Sequence, residues 1–242
     1  MISSPPLEVK HRILECLSIE DVARTALLSI HWNNIWLQHG RLAFDYNFSY
    51  SVEQGHDDEV DIINSILLSR AGPLKKFTLV IPNYYPELRE SDLNRWCLFL
   101  SRNGVEELNI ILYHCGEAAF KLPFCILSCP TIKQLIVHAP FIDLPVNNVG
   151  GIFSNVTLLS FMAVEFRRTA NGTASSISIP NLKRLNFFDC RGINKFEISA
   201  SKLEMLSVRG SVNNVVESRW LTPRLKAIKA LWLCGSSLLV RI

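Results

Sequence analysis

The stretch "IKQLIV", residues 132–137, decides how this chain is read, because its form keeps returning. An apolar residue, two variable ones, an apolar residue, one variable and one more apolar also describe "LKKFTL" at 74, "VEELNI" at 105 and "VTLLSF" at 156. The same form recurs in "LKRLNF" at 182, "INKFEI" at 193, "LEMLSV" at 203 and, less perfectly, "LKAIKA" at 225, where Ala230 takes the place of a branched side chain. The apolar fourth and sixth places fall on one side of a short strand, since successive side chains point to opposite faces. One such strand with its return path cannot bury that side, whereas stacked copies share a continuous core.

Successive forms start 31, 27, 24, 26, 11, 10 and 22 residues apart. Most of these intervals lie near the roughly 20 to 29 residues of a leucine-rich repeat. The two short steps together make one such interval, so "INKFEI" is expected to be an intermediate turn and not a repeat of its own. The fold class predicted is α/β, a leucine-rich-repeat solenoid over residues 73–242 with its strands in a curved parallel sheet. A plain alternation of strands with amphipathic helices fits less well. "SDLNRWCLFLSRNG", from Ser91, can be such a helix, but "HAPFIDLPVNNVGGIFSN" and "RRTANGTASSISIPN" cannot.

Upstream of the repeats the spacing is helical. Pro6 suits a first helical position, and Val9, Ile13, Leu14 and Leu17 follow on one face. Ser18 can cap a second helix with Glu20 and Asp21 in its first turn and Val22, Ala23, Ala26 and Leu27 at helical spacing. Ser29 can cap a third, ending at Gly40, in which Trp32, Ile35 and Trp36 line one stripe. Three helices of about 35 residues in all are too few to bury this much aromatic surface alone. A partner or the rest of the chain must cover part of it. Residues 46–72 are expected to be a polar loop, "SVEQGHDDE", and a connecting helix holding Val60, Ile63, Ile66 and Leu67 in register.

Composition narrows the function. A net charge of +3 with no Lys/Arg cluster larger than a pair argues against nucleic acid, and the third helix carries too few cations to read DNA. No apolar run approaches the roughly 18 residues of a membrane span, and no signal-peptide pattern opens the chain. The protein is expected to be soluble and intracellular, which makes the acceptor-like triplets at Asn47, Asn155 and Asn171 accidental. Seven irregularly spaced cysteines do not form a disulfide framework. His114, Cys115, Cys125, Cys129 and His138 would supply enough ligands for zinc but lack a close Cys pair, and no metal or other cofactor is expected. No nucleophile, phosphate-loop or metalloprotease motif is present, so a binding role is the expectation.

With helices set before a repeat array, "ISSPPLEVKHRILECLSIEDVARTALLSIHWNNIW" resembles the F-box of plant F-box proteins with leucine-rich repeats, which often carry an FBD domain. The residues in register with that pattern are Ile2, Ser3, Pro6, Val9, Ile13, Leu14, Leu17, Asp21, Arg24, Thr25, Leu28, Ser29, Trp32 and Trp36. Downstream, "KLPFCILSCPTIKQLIV" looks like the family's repeats. The chain departs from the pattern at Pro5, where the family has leucine, at Ile30-His31 and at Val22-Ala23.

The resemblance implies an F-box over residues 1–45 and a non-catalytic substrate-receptor subunit of an SCF-type ubiquitin ligase. The F-box would dock on a Skp-type adaptor, and through it on a cullin scaffold, while the repeats hold an unknown protein substrate in the cytoplasm or nucleus. The adaptor-facing or F-box-core positions it implies are Pro6, Val9, Ile13, Leu14, Leu17, Val22, Leu28 and Trp32, with Trp32 as the wedge against the adaptor and Trp36 packed inward. By strand alternation, Thr78, Asn109, Ile136, Ser160, Asn186, Glu197 and Ser207 are the candidates for facing the substrate. The array is expected to lack a C-terminal cap and an FBD domain, as in a truncated member.

Overall fold

The computed structural model describes residues 6–55, 58–82, 88–113, 120–138, 141–144, 151–168, 175–192, 196–210 and 228–234. Three short helices come first: α1 (Leu7–Glu15), α2 (Ile19–Ala26) and α3 (Ile30–Gln38). Both expected serine caps are formed. The Ser18 hydroxyl accepts from the Asp21 N–H at 3.2 Å and the Ser29 hydroxyl from the Trp32 N–H at 3.3 Å, each satisfying a donor that the helix start leaves open. Pro6 is the residue before α1 and not its first member, its carbonyl accepting the Lys10 N–H at 3.1 Å.

Residues 46–58, expected to be a loop, are mostly helix: α4 spans Tyr46–Gly55. The polar run hid two signals. Asp45 Oδ1 accepts from the Asn47 and Phe48 N–H groups at 3.0 and 3.2 Å, and Phe48 and Val52, one turn apart, are buried. The connecting helix follows as α5 (Glu59–Leu68), capped by Asp58, with Val60, Ile63 and Leu67 inward.

The repeats build one parallel sheet. In chain order its strands are β1 (Arg41–Phe44), β2 (Lys76–Ile81), β3 (Glu107–Leu112) and β4 (Gln134–His138), with β5 (Phe141–Leu144) set aside, then β6 (Leu158–Met162). After β7 (Glu165–Arg168) and β8 (Ser175–Ser178) come β9 (Arg184–Phe188), β10 (Phe196–Ser199), β11 (Met205–Arg209) and β12 (Ala230–Cys234). The main sheet runs β1-β2-β3-β4-β6-β9-β11-β12, every pair parallel. On the far side of the turns β5 pairs with β7 and β8 with β10, and the helices α6 (Glu90–Arg102) and α7 (Phe124–Leu127) close earlier repeats. "INKFEI" thus contributes β10 to a side pair and not to the main sheet.

The register aligns the fourth and sixth places of every form. Leu42, Phe77, Leu108, Leu135, Leu159, Leu185 and Leu206 stand in one column and Phe44, Leu79, Ile110, Val137, Phe161, Phe187 and Val208 in the next, all buried. Phe161 stacks on Phe187 at 5.8 Å and meets Phe166 edge-on at 5.2 Å.

Two registers differ from the sequence expectation. Met205 pairs with Ala230, which makes the last form "IKALWL" from Ile228, three residues beyond the frame expected, because Leu231 and Leu233 align with Leu206 and Val208. At the other end β1 pairs with β2, so the sheet begins at Arg41, inside the segment expected to be helical module. The form there is "HGRLAF", with His39 in an apolar place. After β6, β9 and β11 the chain turns through Ala163, Asp189 and Gly210 at φ of 49°, 50° and 117°. At Gly210 a Cβ would come within 2.7 Å of the Asp189 backbone, so only glycine fits.

The helical module is fastened to the sheet at α3. The Arg70 guanidinium donates to the His39 carbonyl and to the Trp36 carbonyl, which also accepts the His39 N–H, and lies 5.0 Å over the Trp36 ring. The Ala71 N–H donates to the Leu37 carbonyl at 2.9 Å, and Arg41 Nη1 to the Glu15 carbonyl at 2.8 Å. His39 is buried at this joint and stacked on His11 at 6.0 Å, and burial, with Arg70 beside it, lowers its pKa to about 4. Glu59 is the opposite case. It is buried beside Ser49, whose hydroxyl lies 2.9 Å from Glu59 Oε1, and burial raises its pKa to about 7.

Replacing Leu185 by Ala should therefore cost about 2 to 5 kcal/mol in urea unfolding, while Asn186→Ala, on the opposite side of the strand, should cost under about 1 kcal/mol. The two titrating groups act in opposite directions. His39, with its folded pKa below the ordinary 6.5, contributes stability that is lost as pH falls from there towards 4. Glu59, with its folded pKa above the ordinary 4.5, contributes stability that is lost as pH rises through 7. Unfolding midpoints across pH 4 to 8 should show Glu59→Gln gaining on the wild type at the alkaline end and His39→Leu at the acid end, each by on the order of 1 to 3 kcal/mol.

Candidate protein-docking surfaces

On α1 the positions four apart divide into two rows. Lys10 and Leu14 face inward and are buried, whereas Val9, Ile13 and Leu17 form the next row and stay exposed together with Leu7. The single face expected to hold Val9, Ile13, Leu14 and Leu17 is therefore split, and only Leu14 belongs to the core. Lys10 takes the inner place because its Nζ lies 2.6 Å from His31 Nε2 and 5.8 Å from the centre of the Trp32 ring.

The link from α2 to α3 makes a more pronounced ledge. Leu27, Leu28 and Ile30 are 86%, 71% and 82% exposed, in a segment whose backbone is fixed by the Ser29 cap and by bonds from the Leu27 and Leu28 N–H groups back into α2. Three large aliphatic side chains held in water on an ordered turn are costly for a monomer, and such a patch marks an interface.

Of the residues named from sequence, Pro6, Val9, Ile13, Leu17 and Leu28 are exposed and able to meet a partner. Leu14 and Val22 are buried and hold the module together, and Trp32 is half-buried and packed on the core. Lys10 and the core occupy two sides of Trp32. Trp36 is buried, under Arg70. Leu7, Leu27 and Ile30 were missed. Leu27, expected on the stripe of the second helix, instead caps its end and points into water, and the signal for it and for Ile30 was their place on either side of a capping serine. Pro5 lies outside the described residues.

The sheet offers the second surface. Thr78, Asn109, Ile136, Ser160, Asn186 and Ser207 occupy the fifth place of their forms, are neighbours in register, and are all half-buried. Ala43 and Trp232 extend the row at its two ends. Glu197 does not belong to it, because β10 pairs with β8 and not with the main sheet. The row is uncharged from end to end, and Asn109 Oδ1 is buried with no hydrogen-bond partner among the described residues. Its margin is apolar and aromatic where Ile111, His138, Met162 and Phe188 align, with Tyr113 edge-on to His138 at 5.1 Å.

No group of three or more His, Cys, Asp or Glu side chains among the described residues is placed to hold a metal ion. Cys129 and Cys125 belong to the closing turn around α7, with Cys129 buried 3.2 Å from Thr131 Oγ1, while His138 faces Tyr113. His114 and Cys115 lie outside the described residues. No described helix is long and apolar enough to cross a membrane.

Both surfaces lie in segments that match known families. An F-box domain model matches residues 6–43, which takes in the three helices and most of β1, and the At1g61320/AtMIF1 LRR domain model matches residues 66–233. Among Arabidopsis thaliana proteins, the chain is 29% identical over 235 residues to F-box/FBD/LRR-repeat protein At1g13570, covering 86% of this chain and 53% of that protein. It is 25% identical over 208 residues to F-box/LRR-repeat protein At1g55660, covering 76% and 57%. It is 28% identical over 148 residues to the putative F-box/FBD/LRR-repeat protein At4g26350, covering 60% and 33%. The chain therefore spans about half the length, or less, of these relatives. No solved structure matches it. Capped helices in the F-box segment, a parallel strand ladder in the repeat segment and these two matches together make the chain a member of the plant F-box/leucine-rich-repeat family.

Proposed function

We propose that the chain is the substrate-receptor part of an SCF-type ubiquitin ligase, working in the cytoplasm or nucleus. Its helices dock on a Skp-type adaptor that joins them to a cullin scaffold, and the uncharged row of the sheet holds the protein to be ubiquitinated. The observation that carries this reading is the ledge of Leu27, Leu28 and Ile30 beside the exposed row of α1. Burying one such side chain against a partner is worth about 1.5 to 3 kcal/mol, so the ledge can supply most of the free energy of a helix-on-helix interface. The role asks the chain for shape and apolar contact, and it assigns no residue to bond-breaking chemistry.

The sheet supports the second half of the reading by its regularity. Side chains at one register position of a parallel ladder stand about 4.8 Å apart, so six uncharged residues line a continuous track. A target segment lying along it would meet small side chains in the middle and the Ile111, Met162 and Phe188 margin beside them.

Titration of the full chain with a purified Skp-type adaptor tests the docking. Leu28→Ala should weaken binding by at least about tenfold with the unfolding midpoint unchanged, and Ile30→Ala should behave alike. Leu14→Ala, at a core position, should lower the unfolding midpoint instead. A well-folded chain that fails to bind the adaptor would overturn the docking and leave a repeat scaffold that binds proteins without it.

A further inference from the structure

The edge at which the chain runs into strands β2 to β12 of the main sheet carries a row of its own, the second place of each main-sheet form from "LKKFTL" onward. In sheet order it reads Lys75, Glu106, Lys133, Thr157, Lys183, Glu204, Lys229. The row is continuous, because each of these residues from Glu106 onward donates its N–H to the carbonyl of the residue before it in the row, at 2.7 to 2.9 Å. Its rungs are therefore about 4.8 Å apart. The charges alternate plus, minus, plus, neutral, plus, minus, plus. Glu106 is held between Lys75, at 2.6 Å, and Lys133, and these two ammonium groups keep its carboxyl down at about 2. Glu204 pairs with Lys229 at 3.2 Å.

The middle anion is missing. Thr157 stands where the alternation calls for a carboxylate, and its hydroxyl is turned back onto the Lys133 carbonyl at 3.0 Å. Lys183, the next rung, has no carboxylate partner among the described residues, and Lys202 beside it donates only to Asn181 Oδ1, at 2.9 Å. A groove of about 460 Å³ opens over this rung, lined by Lys133, Lys183, Lys202, Thr157 and, at its far end, Glu106. The asparagines in its wall each commit one amide N–H elsewhere: Asn155 Nδ2 donates to the Pro130 carbonyl at 2.7 Å and Asn181 Nδ2 to the Ser154 carbonyl at 3.2 Å. The charged donors in the lining are the ammonium groups. Three lysines against one carboxylate leave it about two positive charges in excess.

We propose that this groove binds a phosphoryl group, with Lys183 and Lys202 as its principal ligands and Lys133 shared between the phosphoryl group and Glu106. A phosphate monoester carries roughly −1.5 to −2 charges at neutral pH, which matches the excess, whereas a lone carboxylate would leave half of it unmet. Ammonium groups bind phosphate as point charges and demand no planar fork, which suits lysines reaching in from three different rungs and turns. The group can be a phosphoserine on a partner protein or part of a free phosphorylated metabolite, since both present the same oxygens. The site is separate from the helical ledge and does not depend on adaptor docking.

The experiment titrates the full chain, without adaptor, with inorganic phosphate and with a phosphoserine flanked by Gly-Ser repeats, following binding by calorimetry at low salt. Lys183→Ala and Lys202→Ala should each weaken binding by about tenfold or more, and Lys76→Ala, whose side chain pairs with Glu107 outside the groove, should leave it unchanged. Thr157→Glu supplies the missing anion from within. It should abolish binding while holding or raising the unfolding midpoint, which separates loss of the site from loss of the fold. Tighter binding of the phosphopeptide than of inorganic phosphate, at equal charge, assigns the group to a partner protein, and the reverse assigns it to a metabolite. No binding of either probe to the wild type, or undiminished binding in Thr157→Glu, overturns the proposal.

Discussion

Everything in this molecule hangs on one constraint, the register of the parallel ladder from Arg41 to Cys234. A parallel pair allows no tight hairpin, so the chain must travel out and back between strands. Because the side-chain period is two, one register turns the fourth places from Leu42 to Leu206 inward and the fifth places beside them outward. The buried columns, the uncharged row and the charge ladder at the strand-entering edge are three readings of the same alignment.

The ladder also explains how a small helical module can carry a costly surface. Three short helices are too few to sustain themselves, but α3 runs directly into β1, and Arg70 ties its last carbonyls to the segment leading into β2. The module is thus backed by the core of the repeats. With its inner side anchored through Leu14, Val22, Ile35 and Trp36, it can hold Leu27, Leu28 and Ile30 in water without collapsing around them. An apolar surface held ordered in this way would spare any partner docking on it the loss of backbone freedom on binding.

The repeats were legible in the sequence because their signal is an alignment of apolar residues, and this is also what fixes the register. Thr78, Asn109, Ile136, Ser160, Asn186 and Ser207 fall into one row for that reason, and Glu197 does not, because a form with the same spacing was taken up by the side pair β8–β10. The strand at Arg41 was hidden by His39, a polar residue in an apolar place, and the frame at Ala230 by a chance alignment of Leu225 and Ile228. On the helices, periodicity found the stripes but could not say which one the sheet would cover. That choice rests on Lys10, whose stem and ammonium group find His31 and Trp32, and no spacing rule puts a lysine inside.

The central claim is that the ledge beside the Ser29 cap is a docking surface held ready by the sheet. Hydrogen–deuterium exchange on the full chain, with and without a purified Skp-type adaptor, tests it most directly. The expected result is new protection over α1 and from α2 to the first turn of α3, with strands β2 to β9 slow to exchange in both states. Protection confined to the strands, or none on adding the adaptor, would contradict the account.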